Sequence, residues 1–152
     1  MPYEIRAYEA KTGPSSVVFF LCSGDETPLA SFQRRSGDDE ATAKIKMQLE
    51  SVHKLGVATA CKHKKIRALR GGKASDLYEI RANNCAARAF SFLIDGREAI
   101  VVAFIDKMHS GNSAKDIKKA IRLLESKRPN LEEALEERET YEKQRQENEV
   151  VR

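Results

Sequence analysis

Between Glu50 and Asp76 the chain carries Lys54, Lys62, Lys64, Lys65, Arg67, Arg70 and Lys73, and no acid. Cations at that density suit a polyanion, and cytoplasmic polyanions are mostly RNA and DNA. The same run also fits a solvated, lysine-rich loop. A second group of cations, Arg81, Arg88 and Lys107, lies downstream in segments that look like strands. If Asn83-Asn84 is a two-residue turn, Glu79 faces Arg88 across the hairpin. Arg81 then shares their side, because cross-strand partners point the same way. An even-length connection after that brings Lys107 to the same side, unless a one-residue bulge intervenes. Cations gathered on one sheet face are costly unless they meet solvent or an anion. Either the cluster binds an anion, or Arg88 pairs with Glu79 while Arg81 extends to water.

Several elements must position these groups. Residues 77–82, 86–94 and 99–105 are strand candidates. The links Asn83-Asn84 and Asp95-Gly96-Arg97-Glu98 tolerate positive φ, which predicts an antiparallel meander. Residues 3–8 alternate with period 2, an N-terminal strand with one buried side. After Gly13-Pro14-Ser15-Ser16, the apolar block 17–21 fits a strand or a short helix. Residues 23–37, with Gly24, Pro28 and Gly37, look like a loop. Asp38-Asp39-Glu40 opens a helix over about 40–55, with Ile45, Leu49, Val52 and Leu55 on one face and Gly56 as a left-handed terminator. A last helix starts near Ser113 and Asp116, carries Ile117, Ala120, Ile121 and Leu124, and is expected to close at Pro129. Beyond it, 131–148 is rich in Glu, Arg, Lys and Gln. Its sparse apolar set is Leu131, Ala134, Leu135 and Tyr141, so it reads as a solvent- or partner-facing helix. The sum is an α+β chain: a three-stranded meander plus an N-terminal strand, packed against two N-terminal helices, with C-terminal helices.

At 152 residues the chain holds one domain, or one domain with an appendage. The net charge of +4 conceals a division. Residues 1–128 hold 23 Lys/Arg against 15 Asp/Glu, and residues 129–152 hold 4 against 8. We therefore expect a basic domain over 1–128 and an acidic helical extension over 129–152. The longest apolar run is seven residues, 99–105, far short of the roughly 20 that span a bilayer, so no membrane association is expected. The start MPYEIRAYEA lacks the apolar core of a signal peptide. Three widely spaced cysteines, Cys22, Cys61 and Cys85, suit a reducing cytoplasm. Cys61-x-His63 makes no metal pattern with cysteines so distant, and no metal or cofactor is expected.

The order strand, two helices, basic linker, KKIRAL…LYEIR, a strand with central Arg88, then AFIDKMHSGN before a Lys-rich helix resembles the RelE/HigB-like toxins of type II toxin–antitoxin systems. The nearest pattern is the phage-derived HigB-like branch. Leu77-Tyr78-Glu79-Ile80-Arg81 matches its first strand motif, Arg88-Ala-Phe-Ser its second, and Phe104-Ile105-Asp106-Lys107 its third, with Asp106 where the pattern has a lysine. The resemblance covers about residues 1–127.

It implies a RelE-like fold and an mRNA interferase: an endoribonuclease that cleaves mRNA, usually on a translating ribosome, by metal-independent attack of the 2′-OH on the adjacent phosphate. A developing pentacoordinate phosphate needs preorganised cations, which Arg81, Arg88 and Lys107 would supply. Lys62, His63, Lys64, Lys65, Arg67, Arg70 and Lys73 would hold RNA phosphates. His109, two residues after Lys107, is the best-placed general acid or base, with His63 as an alternative. The implied partners are mRNA, the ribosome and an antitoxin of helix-turn-helix type; a homo-oligomer is left open. The competing expectation is a non-catalytic RNA-binding or adaptor module, an inactive relative marked by Asp106.

Overall fold

The computed structural model describes residues 3–8, 17–69, 76–108 and 114–150, with residues 97, 114 and 140–150 by backbone alone. The chain runs β1 (Tyr3–Ala7), β2 (Val18–Ser23), α1 (Pro28–Ser36), α2 (Asp39–Leu55), α3 (Val57–Lys62), β3 (Ile66–Ala68), β4 (Leu77–Arg81), β5 (Ala87–Ile94), a 3-10 turn (Asp95–Arg97), β6 (Ala99–Lys107) and α4 (Ala114–Val150). The strands form one six-stranded sheet in the order β1-β2-β6-β5-β4-β3. Every pair is antiparallel except β2 and β6, which are parallel. The α+β class matches the expectation. The sheet is larger than a four-stranded one because β2 and β3 join it.

Each face of the sheet has its own core. Val18, Phe20, Ile80, Ala89, Ile100 and Ile105 pack with Phe32 of α1, Ile45 and Leu49 of α2 and Ala60 of α3. On the opposite face Phe19, Leu21, Leu77, Phe90, Phe92 and Val101 pack with Ala120, Leu124, Leu131 and Ala134 of α4. This explains the ambiguous block at 17–21. A strand covered on both faces has no polar side, and all of Val18–Cys22 is buried.

The expected loop at 23–37 contains a helix, α1. Thr27 caps it, its Oγ1 accepting from Ala30 N at 3.1 Å, and Pro28 occupies the first turn. Arg34 and Arg35 lie in the last turn, and Gly37 closes it at φ 64°, ψ 14°. The residues that look like loop markers are the caps. Gly56 differs from expectation too. At φ 82°, ψ 163° it is outside the left-handed helical region, and it passes the chain directly into α3, so three helices precede the meander. Much of the expected basic linker is thus ordered as α3 and the short strand β3.

The meander forms with two changes of register. Arg81 pairs with Arg88, and Glu79 with Phe90, so the connection is longer than Asn83-Asn84 alone. The shift is two residues, and parity keeps Glu79, Arg81 and Arg88 on one face. The second change has the opposite effect. Ile94 pairs with Ala99 across the expected four-residue link, but a bulge intervenes, with Ser91 opposite Val102 and Phe90 opposite Phe104. Ala103 is the extra residue. Beyond it Arg88 faces Asp106, and Lys107 faces Ala87 on the side of α1–α3. The expectation that Lys107 joins Arg81 and Arg88 on one face is therefore corrected by this bulge.

The last helix does not close at Pro129. α4 continues through it to Val150, across the expected boundary at 128/129. Proline removes one helical hydrogen bond, and tertiary anchors on both sides offset the loss. Leu124, Leu131 and Ala134 are buried against the sheet. Arg128 donates two bonds to Asp76, at 2.8 and 2.9 Å, and lies over the Phe92 ring at 5.1 Å. Arg138 lies over Phe19 at 4.4 Å. Leu131, only 3% exposed, makes this testable. Leu131→Ala should cost about 2–5 kcal/mol in urea unfolding, the range for a truncated core leucine. A change below about 0.5 kcal/mol would mean the helix beyond Pro129 contributes nothing to the core.

Candidate nucleic-acid interface

α4 packs across its face against β1, β2, β6 and the Phe92 end of β5. Toward the β3 edge, the same face carries Arg67 on β3, Glu79 and Arg81 on β4, Arg88 on β5 and Asp106 on β6, placed together by register. At the centre is a buried ion pair. Arg88 Nη1 donates to Glu79 Oε1 at 2.8 Å, and the residues are 4% and 6% exposed. Arg81 Nε approaches the same oxygen at 3.9 Å from a side chain 30% exposed. This is the pairing that the hairpin arithmetic left open as the alternative to direct anion binding by Arg88. Removing two charges from water is expensive, and Glu79 Oε2 is buried without a hydrogen bond.

Arg81 feels this environment. Burial lowers its pKa below the usual arginine value, as do the positive charges of Arg88 and Arg67, while Glu79 opposes the shift. An anion near Arg81 would relieve that repulsion.

Arg81 opens onto a cavity of about 470 Å³, lined also by His63, Lys64, Lys65, Arg67, Asn83, Asn84 and Cys85. The turn between α3 and β3 delivers the first three of these, with Lys64 at φ 58°. Four of the expected phosphate-binding residues, His63, Lys64, Lys65 and Arg67, thus converge with Arg81. Lys62 is exposed at the end of α3 but does not line the cavity. Arg70, Lys73 and His109 lie outside the described residues. Gln48 of α2 also lines the cavity and carried no sequence signal. Among the described residues no cluster of His, Cys, Asp and Glu is gathered at metal-ligand spacing.

Lys107 has another partner. Its Nζ donates to Asp38 Oδ2 at 2.7 Å, while Asp38 Oδ1 caps α2 by accepting from Ala41 N at 2.9 Å. The Lys107 bond first, then the Ala41 bond, holds Asp38 below its ordinary carboxylate value, and Asp38 raises Lys107. A carboxylate depressed in the fold stabilises above its unfolded pKa of about 3.9 and loses that contribution as pH falls through its folded value. The deficit of Asp38→Asn relative to wild type should therefore be smaller at pH 3 than at pH 7 in urea titrations. An equal gap at both pH values would show that the charge of Asp38 does not matter.

A small α+β domain with a sheet of this kind is consistent with a RelE-like fold. Residues 35–125 match the family model for phage-derived protein Gp49-like (DUF891), and the chain belongs to that family, which is associated with HigB/RelE-like toxins of toxin–antitoxin systems. The matched segment contains the whole buried pair and the cavity. No curated protein and no solved structure matches the chain. No helix among the described residues is long and apolar enough to cross a membrane.

Proposed function

We propose that this chain is the toxin of a type II toxin–antitoxin pair, of the HigB-like branch, and that it is an mRNA interferase acting on translated messages in the cytoplasm. One observation carries this reading: His63, Lys64, Lys65, Arg67 and Arg81 line a single cavity beside a buried Glu79–Arg88 pair. The exposed cations hold phosphates, and Arg81 is the guanidinium nearest the pair that is also open to the cavity. The RNA 2′-OH loses its proton and attacks the adjacent phosphorus, a 2′,3′-cyclic phosphate forms, and the 5′-oxygen leaves with a proton. Arg81 and Arg67 stabilise the charge that builds on the phosphoryl oxygens. Such attack needs no nucleophile from the protein. His63 is the proton carrier available in the cavity.

Arg88 acts from beneath as a positioning residue, and Lys107 belongs to the other face. That placement also favours a second reading, an RNA-binding module without catalysis, because two of the three cations expected at the phosphate do not reach the cavity. A helix-turn-helix antitoxin is the expected partner under both. Expression of the chain alone separates them. The interferase arrests growth and leaves cyclic-phosphate ends on mRNA, whereas the binding module leaves messages intact.

A further inference from the structure

A second opening lies on the α4 face of the sheet, beyond Arg88 and next to α4. Its floor is Phe104, half-buried and stacked on Phe90 with ring centroids 4.8 Å apart and planes 30° apart. Its ionisable lining is Asp106, Lys107, Asp116 and Lys119. The charge contrast with the first cavity is sharp. There every ionisable side chain apart from Cys85 is Lys, Arg or His. Here Asp106, Asp116 and Lys119 surround an aromatic stack, while the Lys107 ammonium is turned to Asp38 on the other face. A phosphate is drawn to the first and gains nothing at the second. A nucleobase is neutral, stacks on an aromatic face, and presents hydrogen-bond donors to a carboxylate.

The two openings are spaced for one strand of RNA. Arg81, Arg88 and Asp106 occupy a single row across β4, β5 and β6. Two strand spacings separate the backbones of Arg81 and Asp106, about 10 Å. The bulge at Ala103 is what places Asp106 in that row and turns Phe104 toward the cleft. The cleft is shallow, about 70 Å³, so a base would lie across Phe104 rather than enter a closed pocket.

We infer that this cleft is a nucleobase-reading site in which a base stacks on Phe104 and Asp106 selects guanine; the inference rests on the RNA-binding reading of the cavity beside it. A carboxylate only accepts hydrogen bonds. Guanine offers it two adjacent donors, N1–H and the N2 amino group. Cytosine and adenine offer one amino group beside an acceptor, and uracil flanks its single donor with two carbonyls. Asp106 is exposed, and its Oδ1 accepts from Lys107 N at 2.8 Å, which fixes the carboxylate without exhausting its lone pairs.

The test is binding of the intact protein to uncleavable 2′-fluoro oligoribonucleotides, a uridine tract and the same tract with one central guanosine. Wild type should prefer the guanosine tract by about tenfold or more, within the range of a good bidentate base contact. Asp106→Asn should bring that ratio close to one. Phe104→Leu should weaken both tracts. Equal binding of both tracts by wild type, or an unchanged preference in Asp106→Asn, overturns the base-reading site and leaves the RNA-binding reading intact. Failure of wild type to bind either tract overturns both. Guanosine preference without cleavage of unmodified RNA supports the site and argues against the nuclease.

Discussion

Arg88→Ala is expected to destabilise the protein by about 3–5 kcal/mol, the cost of breaking a buried ion pair from one side. Glu79 would remain buried in position with, among the described residues, the 3.9 Å approach of Arg81 to compensate it and with Oε2 already lacking a hydrogen bond. Urea unfolding measures the loss directly. The double variant Arg88→Met with Glu79→Leu should recover most of it, because an apolar pair of similar volume avoids the desolvation cost of both charges. A loss below about 1 kcal/mol in the single variant would mean that the pair is solvated in solution. The consequence for function is practical. Loss of toxicity in Arg88→Ala reports unfolding as readily as chemistry, so the variant is a poor probe of catalysis.

Arg81→Ala is the informative variant, and its expected effect falls on activity. Arg81 is 30% exposed, and its ion pair with Glu79 is long. Its removal should change stability by less than about 1 kcal/mol. RNA cleavage should fall by about 10²–10³-fold, the usual cost of deleting one preorganised donor to a transition-state oxyanion. Arg81→Lys should recover part of the rate by restoring charge without the planar fork. Rates from single-turnover cleavage and stabilities from urea titration separate the two effects. Equal cleavage by Arg81→Ala and wild type would remove Arg81 from the site.

The parts legible in the sequence were those protected by parity. Glu79, Arg81 and Arg88 share a face although the hairpin register differs by two residues, because an even shift leaves every side chain where it was. The position of Lys107 was not protected. It depends on a bulge at Ala103, inside the run Ala-Ile-Val-Val-Ala-Phe-Ile, and an all-apolar segment has no alternation in which an inserted residue would show. Helix α1 was hidden for a different reason. Pro28 and Gly37 are boundary residues of loops and of helices alike, and only Thr27 as cap and the burial of Phe32 decide between them. Pro129 misled in the same way, since its cost is met by Arg128, Leu131 and Ala134 in contacts remote in sequence. The basic run could be counted from sequence. That three of its members, with His63, turn into one cavity beside Arg81 depends on the short α3–β3 connection, which three residues of strand are too few to announce.

The most direct test of the proposed function is to map the RNA ends produced when purified wild-type protein and Arg81→Ala are added to a translating extract. Cleavage within the translated message by wild type, with 2′,3′-cyclic phosphate at the new ends and a rate at least a hundredfold lower for Arg81→Ala, is the predicted result. Intact messages with wild-type protein, or cuts bearing 3′-hydroxyl ends that persist in Arg81→Ala, would contradict it.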